Sequence, residues 1–160
     1  MIDIKDKHNC CGCEGCVQVC PKHCIHLYQD KEGFFYPKVE TSLCIECDLC
    51  KNVCPVINIR EQSLPREVWA AQNKDKTVRE NSSSGGIATM LAEKIINEKG
   101  VVFGVVMNEK CDAVHKYAET SEQLVSFRGS KYIQSKIGNT FQQVRDFLNQ
   151  VPYLTFIPFF

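Results

Sequence analysis

The 160-residue sequence predicts an α+β chain in two parts, a small cysteine-built domain followed by an incomplete α/β domain. Three observations predict it: eight cysteines in two copies of one spacing, a change of composition near residue 60, and a helix-period segment running into an almost unbroken apolar strand. The parts are residues 1–60, a linker at 61–66, and residues 67–160.

The two copies are Cys10-x-x-Cys13-x-x-Cys16-x-x-x-Cys20-Pro21 and Cys44-x-x-Cys47-x-x-Cys50-x-x-x-Cys54-Pro55. This is the ligand pattern for two 4Fe-4S clusters, and it implies electron transfer. Three thiolates spaced two residues apart on a tight turn can face one corner of a small cube. The fourth sits a helical turn further on and points away, so in two-cluster ferredoxins it ligates the other cube. On that rule Cys10, Cys13, Cys16 and Cys54 hold one cluster, and Cys44, Cys47, Cys50 and Cys20 hold the second. Structural zinc takes four ligands from two Cys-x-x-Cys pairs, which leaves a third evenly spaced cysteine and a trailing Cys-Pro unexplained. A disulfide framework fits poorly with an odd total of 11 cysteines and a start, Met1-Ile2-Asp3-Ile4-Lys5, without a signal-peptide apolar core. The expected compartment is reducing and cytoplasmic. Cys11, Cys24 and Cys111 lie outside the pattern and read as small buried or half-buried residues with no assigned role.

Pro21 and Pro55 turn the chain out of the short helices that deliver Cys20 and Cys54. Gly12 and Gly15 are expected to let backbone N–H groups approach sulfur in the first loop, where the second has Ile45, Glu46, Asp48 and Leu49. This asymmetry predicts unequal potentials, with Glu46 and Asp48 making the second cluster harder to reduce. Ten of the eleven cysteines precede the linker, in a segment with so few aliphatic residues that the clusters must act as its interior, so stripping the iron should unfold it. Between the motifs, residues 25–28 and 34–39 flank Gln29-Asp30-Lys31-Glu32-Gly33, a strand, turn, strand signature expected to pack over the cubes. Two such half-domains related by approximate twofold symmetry form the bacterial ferredoxin plan. Residues 58–66, with Pro65, carry linker composition.

The 19 basic residues balance 19 acidic ones and are dispersed, which argues against nucleic acid or an anionic membrane surface as partner. No apolar run approaches the length of a membrane span. His8, His23, His26 and His115 read as surface or core residues, and no paired-carboxylate or Ser/His/Asp site is legible, so no catalytic residue is assigned.

In the second part, residues 67–72 read as a strand, and Ser82-Ser83-Ser84-Gly85-Gly86 opens a helix to about Lys99 that Gly100 ends. Ile87, Leu91 and Ile95, with Ala88, Met90, Ala92 and Ile96 beside them, form a wide apolar face for packing on a sheet. Residues 101–107 follow as an apolar strand buried on both faces, and 113–118 return across 108–112 as a hairpin partner. An amphipathic helix runs from about Ile137 to Asn149. The Ser/Gly helix start suits either an anionic ligand edge or a plain N-cap, and no G-x-G-x-x-G fingerprint decides between them. Arg128-Gly129-Ser130-Lys131-Tyr132-Ile133-Gln134-Ser135 offers cations, hydroxyls and amides, or a solvated loop.

Two cysteine motifs, then Ser83-Ser84-Gly85-Gly86, then Val101-Val102-Phe103-Gly104, then Arg128 to Ser135, resemble the coenzyme F-420 hydrogenase/dehydrogenase beta subunit family from about Cys10 to Asn149. The resemblance implies an iron-sulfur module that exchanges electrons with a flavin, usually FAD, which passes a hydride to or from a deazaflavin or another acceptor. It also implies that Ser83, Ser84, Gly85 and Gly86, with Gly129, Ser130, Lys131 and Gln134, line the flavin pocket. In similar proteins the last helix leads into a Gly-Thr-Pro-Cys turn and a large remainder of the flavin domain. Here residues 151–160 carry Pro152 and Pro158 and resemble a truncated end.

The expected function is electron transfer through two 4Fe-4S clusters within an iron-sulfur flavoprotein oxidoreductase, working with a redox partner protein or subunit. Two alternatives stay open: a ferredoxin-like carrier without flavin, and a non-catalytic fragment. The sequence does not decide whether the chain is itself an enzyme.

Overall fold

Each cysteine motif folds as a left-handed kink that runs into a short helix, α1 (Gly15–Val19) and α2 (Leu49–Asn52). The structure, a computed structural model, describes residues 1–59, 64, 65 and 67–150; residues 60–63 and 66 of the expected linker and the tail 151–160 lie outside the described residues. The chain divides into two compact units, Met1–Leu64 and Pro65–Phe160.

In the first unit, helices of five and four residues are too short to stand alone. They are held by tertiary contact, and Cys20 ends α1 with its N–H on the Val17 carbonyl just before Pro21. Between them lies an antiparallel hairpin, β1 (Ile25–Gln29) and β2 (Phe35–Val39), in the register Ile25 opposite Val39 and Leu27 opposite Pro37. Its turn is fixed by Asp30, whose carboxylate accepts from the N–H groups of Glu32 and Phe34 and from Lys7 Nζ at 2.6 Å. The buried core is Ile2, Cys20, Cys24, Ile25, Cys50 and Cys54. Four of these six are cysteine, so the polypeptide alone supplies little apolar interior.

The second unit contains α3 (Lys76–Glu80), α4 (Ile87–Asn97), β3 (Val102–Met107), β4 (Ala113–Ala118), α5 (Ser121–Leu124) and α6 (Thr140–Gln150). Strands β3 and β4 pair antiparallel as expected, and Val102, Phe103 and Val106 are buried. The turn is closed by Asn108, whose side-chain oxygen accepts from the N–H groups of Lys110 and Asp112. Phe147 seats α6 on the hairpin, with ring centroids 6.0 Å from Phe103 and 5.0 Å from Tyr117. Val114 makes an isolated parallel bridge to Lys136 on the outer side of β4.

Four expectations are corrected. Residues 67–72 form no strand; Val68 and Trp69 are 84% and 79% exposed, and no strand among the described residues gives them a ladder. Helix α3, N-capped by the Asp75 carboxylate on the Thr77 and Val78 N–H groups, stands where the sequence suggested only a polar stretch. The covered stripe of α4 is Thr89, Ala92 and Ile95, while Met90 and Leu91 remain exposed. That helix stops at Asn97 with Lys99 in the left-handed region, and Gly100 is needed for a different reason: a Cβ there would lie 2.6 Å from the Ile95 side chain.

Candidate functional site

The structure brings the eight patterned cysteines together around two concavities of the first unit. Cys10, Cys13, Cys16 and Cys54 line one. Cys20, Cys44, Cys47 and Cys50 line the other. Among the described residues no group of three or more His, Cys, Asp or Glu side chains stands as a single-ion site. One face of the hairpin covers both: the cross-strand pair Ile25 and Val39 lies on the second concavity, and Leu27 and Pro37, two pairs further along, lie on the first. Alternation along the strands puts both pairs on one side, so a single hairpin shields two sites.

Backbone N–H groups are aimed at the sulfurs: Gly15 at Cys13, Val17 at Cys16, and Cys24, Lys22 and His23 at Cys20. Burial pushes the Cys16 thiol up to about 12, helped by the sulfurs of Cys13 and Cys10. At Cys20 burial acts upward too, but the N–H donors and the Cys24 side chain outweigh it and hold this thiol below its ordinary value. Burial, then the Cys20 and Cys44 sulfurs, pushes Cys24 up to about 11. Four crosswise thiols per site, a dry apolar lid and N–H dipoles facing sulfur fit a 4Fe-4S cluster, whose charge such donors stabilise.

The expected difference between the loops is smaller than the sequence suggested. Gly12 and Glu14 have φ of 64° and 56°, and their counterparts Glu46 and Asp48 have 52° and 57°. Both loops therefore share one left-handed pattern, achieved in the second without glycine. Gly15 has no positive φ, although its N–H does face the Cys13 sulfur. Asp48 is already paired, 2.8 Å from the terminal amine and 3.0 Å from Lys51 Nζ, and these partners hold its carboxyl below the usual range. Since Glu14 matches Asp48, the unbalanced loop charge is Glu46 alone.

In the second unit the two polar motifs converge on a cavity of about 180 Å³. Of the residues implied as flavin contacts, Ser83, Ser84, Gly86, Gly129 and Ser130 line it; Gly85, Lys131 and Gln134 do not. Gly85 permits close chain passage, since a Cβ there would lie 2.8 Å from the Ala71 carbonyl oxygen. Lys131 Nζ donates to the carbonyls of Arg128 and Phe127 at 2.9 and 3.1 Å, tying off the 3-10 turn Val125–Phe127. The serines do not cap α4: its N-cap is Gly86, without a side-chain hydrogen bond, and Ser82 Oγ donates instead to the Val78 carbonyl of α3. Arg128, at the head of its motif but not singled out from sequence, also lines the cavity, and its Nε is shielded without a hydrogen-bond partner among the described residues. Phe127 forms another part of the wall, packed so closely on β3 that a Cβ on Gly104 would lie 2.7 Å from its ring.

These features define a ferredoxin-like 4Fe-4S electron-transfer unit followed by a mixed unit of helices and a small sheet. Residues 9–58 match the 4Fe-4S dicluster domain family, and residues 68–141 match the N-terminal part of the coenzyme F420 hydrogenase/dehydrogenase beta subunit family. Residues 68–141 thus carry the N-terminal region of this beta subunit family, with the dicluster domain ahead of them. Proteins of ferredoxin type are similar to this chain over part of its length. A protein named Ferredoxin 7Fe from Hydrogenibacillus schlegelii is 36% identical over 63 residues, 38% of this chain and 74% of the relative. A ferredoxin of Rickettsia felis is 31% identical over 72 residues, 45% of this chain and 62% of the relative. An uncharacterised polyferredoxin-like protein of Methanocaldococcus jannaschii is 31% identical over 68 residues, 35% of this chain and 38% of that protein. Among the described residues no helix is long and apolar enough to cross a membrane.

Proposed function

We propose that the chain relays electrons through two 4Fe-4S clusters, one held by Cys10, Cys13, Cys16 and Cys54 and the other by Cys20, Cys44, Cys47 and Cys50. In this reading it is the electron-transfer part of an iron-sulfur flavoprotein oxidoreductase that works with a redox partner protein or subunit. The observation that carries it is the grouping of each trailing cysteine with the opposite triplet around its own concavity. Such clusters supply one-electron couples, and a flavin connects them to two-electron chemistry. The chain's residues set the conditions: thiolates hold the iron, N–H dipoles offset negative charge, and Ile25, Val39, Leu27 and Pro37 keep water off.

The flavin would contact the cavity at Ser83, Ser84, Gly86, Gly129 and Ser130, with Arg128 the cation on a wall that carries no acidic residue among the described residues. At about 180 Å³ the cavity is smaller than the roughly 300–1,000 Å³ of whole-ligand sites, so it would take one end of the cofactor. That size favours keeping one second reading, a bare electron carrier. Anaerobic purification followed by iron, sulfide and flavin determination tests both. About eight irons and eight sulfides per chain are expected on either reading, with stoichiometric flavin on the first alone. About four irons, or zinc in their place, would overturn the two-cluster reading.

A further inference from the structure

The near-symmetry of the two halves breaks four residues beyond each trailing cysteine, where Cys24 follows Cys20 but Asn58 follows Cys54. Asn58 is exposed and turns its Nδ2 to the carbonyls of Lys51 and Cys54, so it fastens chain rather than sulfur. Cys24 is only 2% exposed, its Sγ lies 3.4 Å from Cys20 Sγ, and it lines the concavity as a fifth thiol beside Cys20, Cys44, Cys47 and Cys50. The first concavity also has an extra thiol, Cys11, but that residue is exposed and water competes for its hydrogen bonds.

A cysteine that ligates iron does so as a thiolate and has no proton to give. In the Cys20–Cys24 contact, donation therefore runs one way once iron is bound, from the Cys24 S–H. Reduction places another negative charge on the iron-sulfur core and its thiolates, and a donor facing a thiolate favours the more negative state. The thiol is a weak donor, but a dry site strengthens what it offers. The Cys44 sulfur also neighbours Cys24, and since it belongs to the same four, donation to either ligand acts in the same direction.

We propose that Cys24 is a positioning residue for the cluster held by Cys20, Cys44, Cys47 and Cys50, donating its S–H to the ligand thiolates and raising the reduction potential of that cluster alone. The inference rests on the two-cluster reading. It runs opposite to the effect first expected from Glu46 and Asp48, of which Asp48 is neutralised by its partners.

The test is an EPR-monitored redox titration of the full reconstituted chain, with iron counted on each sample, for wild type, Cys24→Ala, Cys24→Val and Cys24→Ser. The expected result is unchanged iron in all four, one midpoint moved to more negative potential in the Ala and Val variants, the other midpoint unmoved, and Ser close to wild type. Val keeps the volume without a donor and replaces Ala if the smaller side chain impairs assembly. Unmoved midpoints with full iron overturn the inference while leaving the two clusters standing. So does a Ser variant shifted as far as Val, or loss of half the iron in Val and Ser, which would make Cys24 a ligand. Wild type holding fewer than two clusters overturns the underlying reading itself.

Discussion

Replacing Ile25 by alanine should open one cluster site and spare the other. Ile25 is 2% exposed, belongs to the buried core of the first unit and lies on the wall of the second concavity opposite Val39. The change removes three carbons, about 2.4 kcal/mol at about 0.8 kcal/mol per buried group, and the cavity left behind brings the cost to about 2–5 kcal/mol. Even about 2 kcal/mol raises the population of a local opening at this site about 30-fold. Anaerobic transfer of iron to a chelator, followed in time, reads that opening. In Ile25→Ala about half the iron should leave at least tenfold faster than in wild type, while the rest leaves at the wild-type rate. Leu27→Ala should accelerate the other half, because Leu27 lies on the first concavity. Tyr28→Ala, at a position 45% exposed, should change neither. A single unchanged phase in Ile25→Ala, or equal acceleration of all the iron, would refute the division of the hairpin face between two sites.

Three further outcomes follow from local geometry. Gly12→Ala, at φ 64°, should cost about 1–2 kcal/mol, whereas Gly15→Ala, at an ordinary φ with 3.8 Å to the nearest atom, should be neutral or stabilising; thermal loss of cluster absorbance compares them. Gly104→Ala should cost about 1–3 kcal/mol by driving a methyl into the Phe127 ring, with much of the loss recovered in Gly104→Ala/Phe127→Leu, measured by chemical denaturation of the second unit's helical signal. Lys136 Nζ, 2.8 Å away, and then the Asn108 amide hold the Asp112 carboxyl below its ordinary range. A carboxyl lowered in the folded state stabilises above its unfolded value near about 3.9 and loses that contribution as pH falls through the folded value, so acid unfolding followed by circular dichroism should be shallower in Asp112→Asn.

The grouping of the patterned cysteines, the hairpin between the motifs and the pair β3 and β4 were legible because each rests on local spacing: thiols on a tight turn, alternating apolar residues, and turn residues between them. What escaped was set by neighbours. Residues 67–72 have strand composition, but a strand exists by its ladder, and Val68 and Trp69 find none among the described residues. Helix α4 offered apolar residues over most of its circumference, and only the tertiary fold chose Thr89, Ala92 and Ile95 for burial over Met90 and Leu91. In the site, composition marked Gly12 as special but could not show that Glu46 adopts the same left-handed backbone. It gave Cys24 no ligand spacing and hence no role; its place against Cys20 follows from the turn out of α1 into β1. The 82–86 and 128–130 segments are far apart in sequence, and their meeting on one cavity depends on how α4 and α5 pack.

The crosswise grouping of thiols is tested most directly by iron counts in paired variants. Cys10→Ala/Cys54→Ala removes two ligands of one cluster and should leave about four irons per chain, as each single variant should, whereas Cys10→Ala/Cys20→Ala should leave none. If the Cys10/Cys20 pair instead retains about four irons while the Cys10/Cys54 pair loses all, each motif holds its own cluster and the account is wrong.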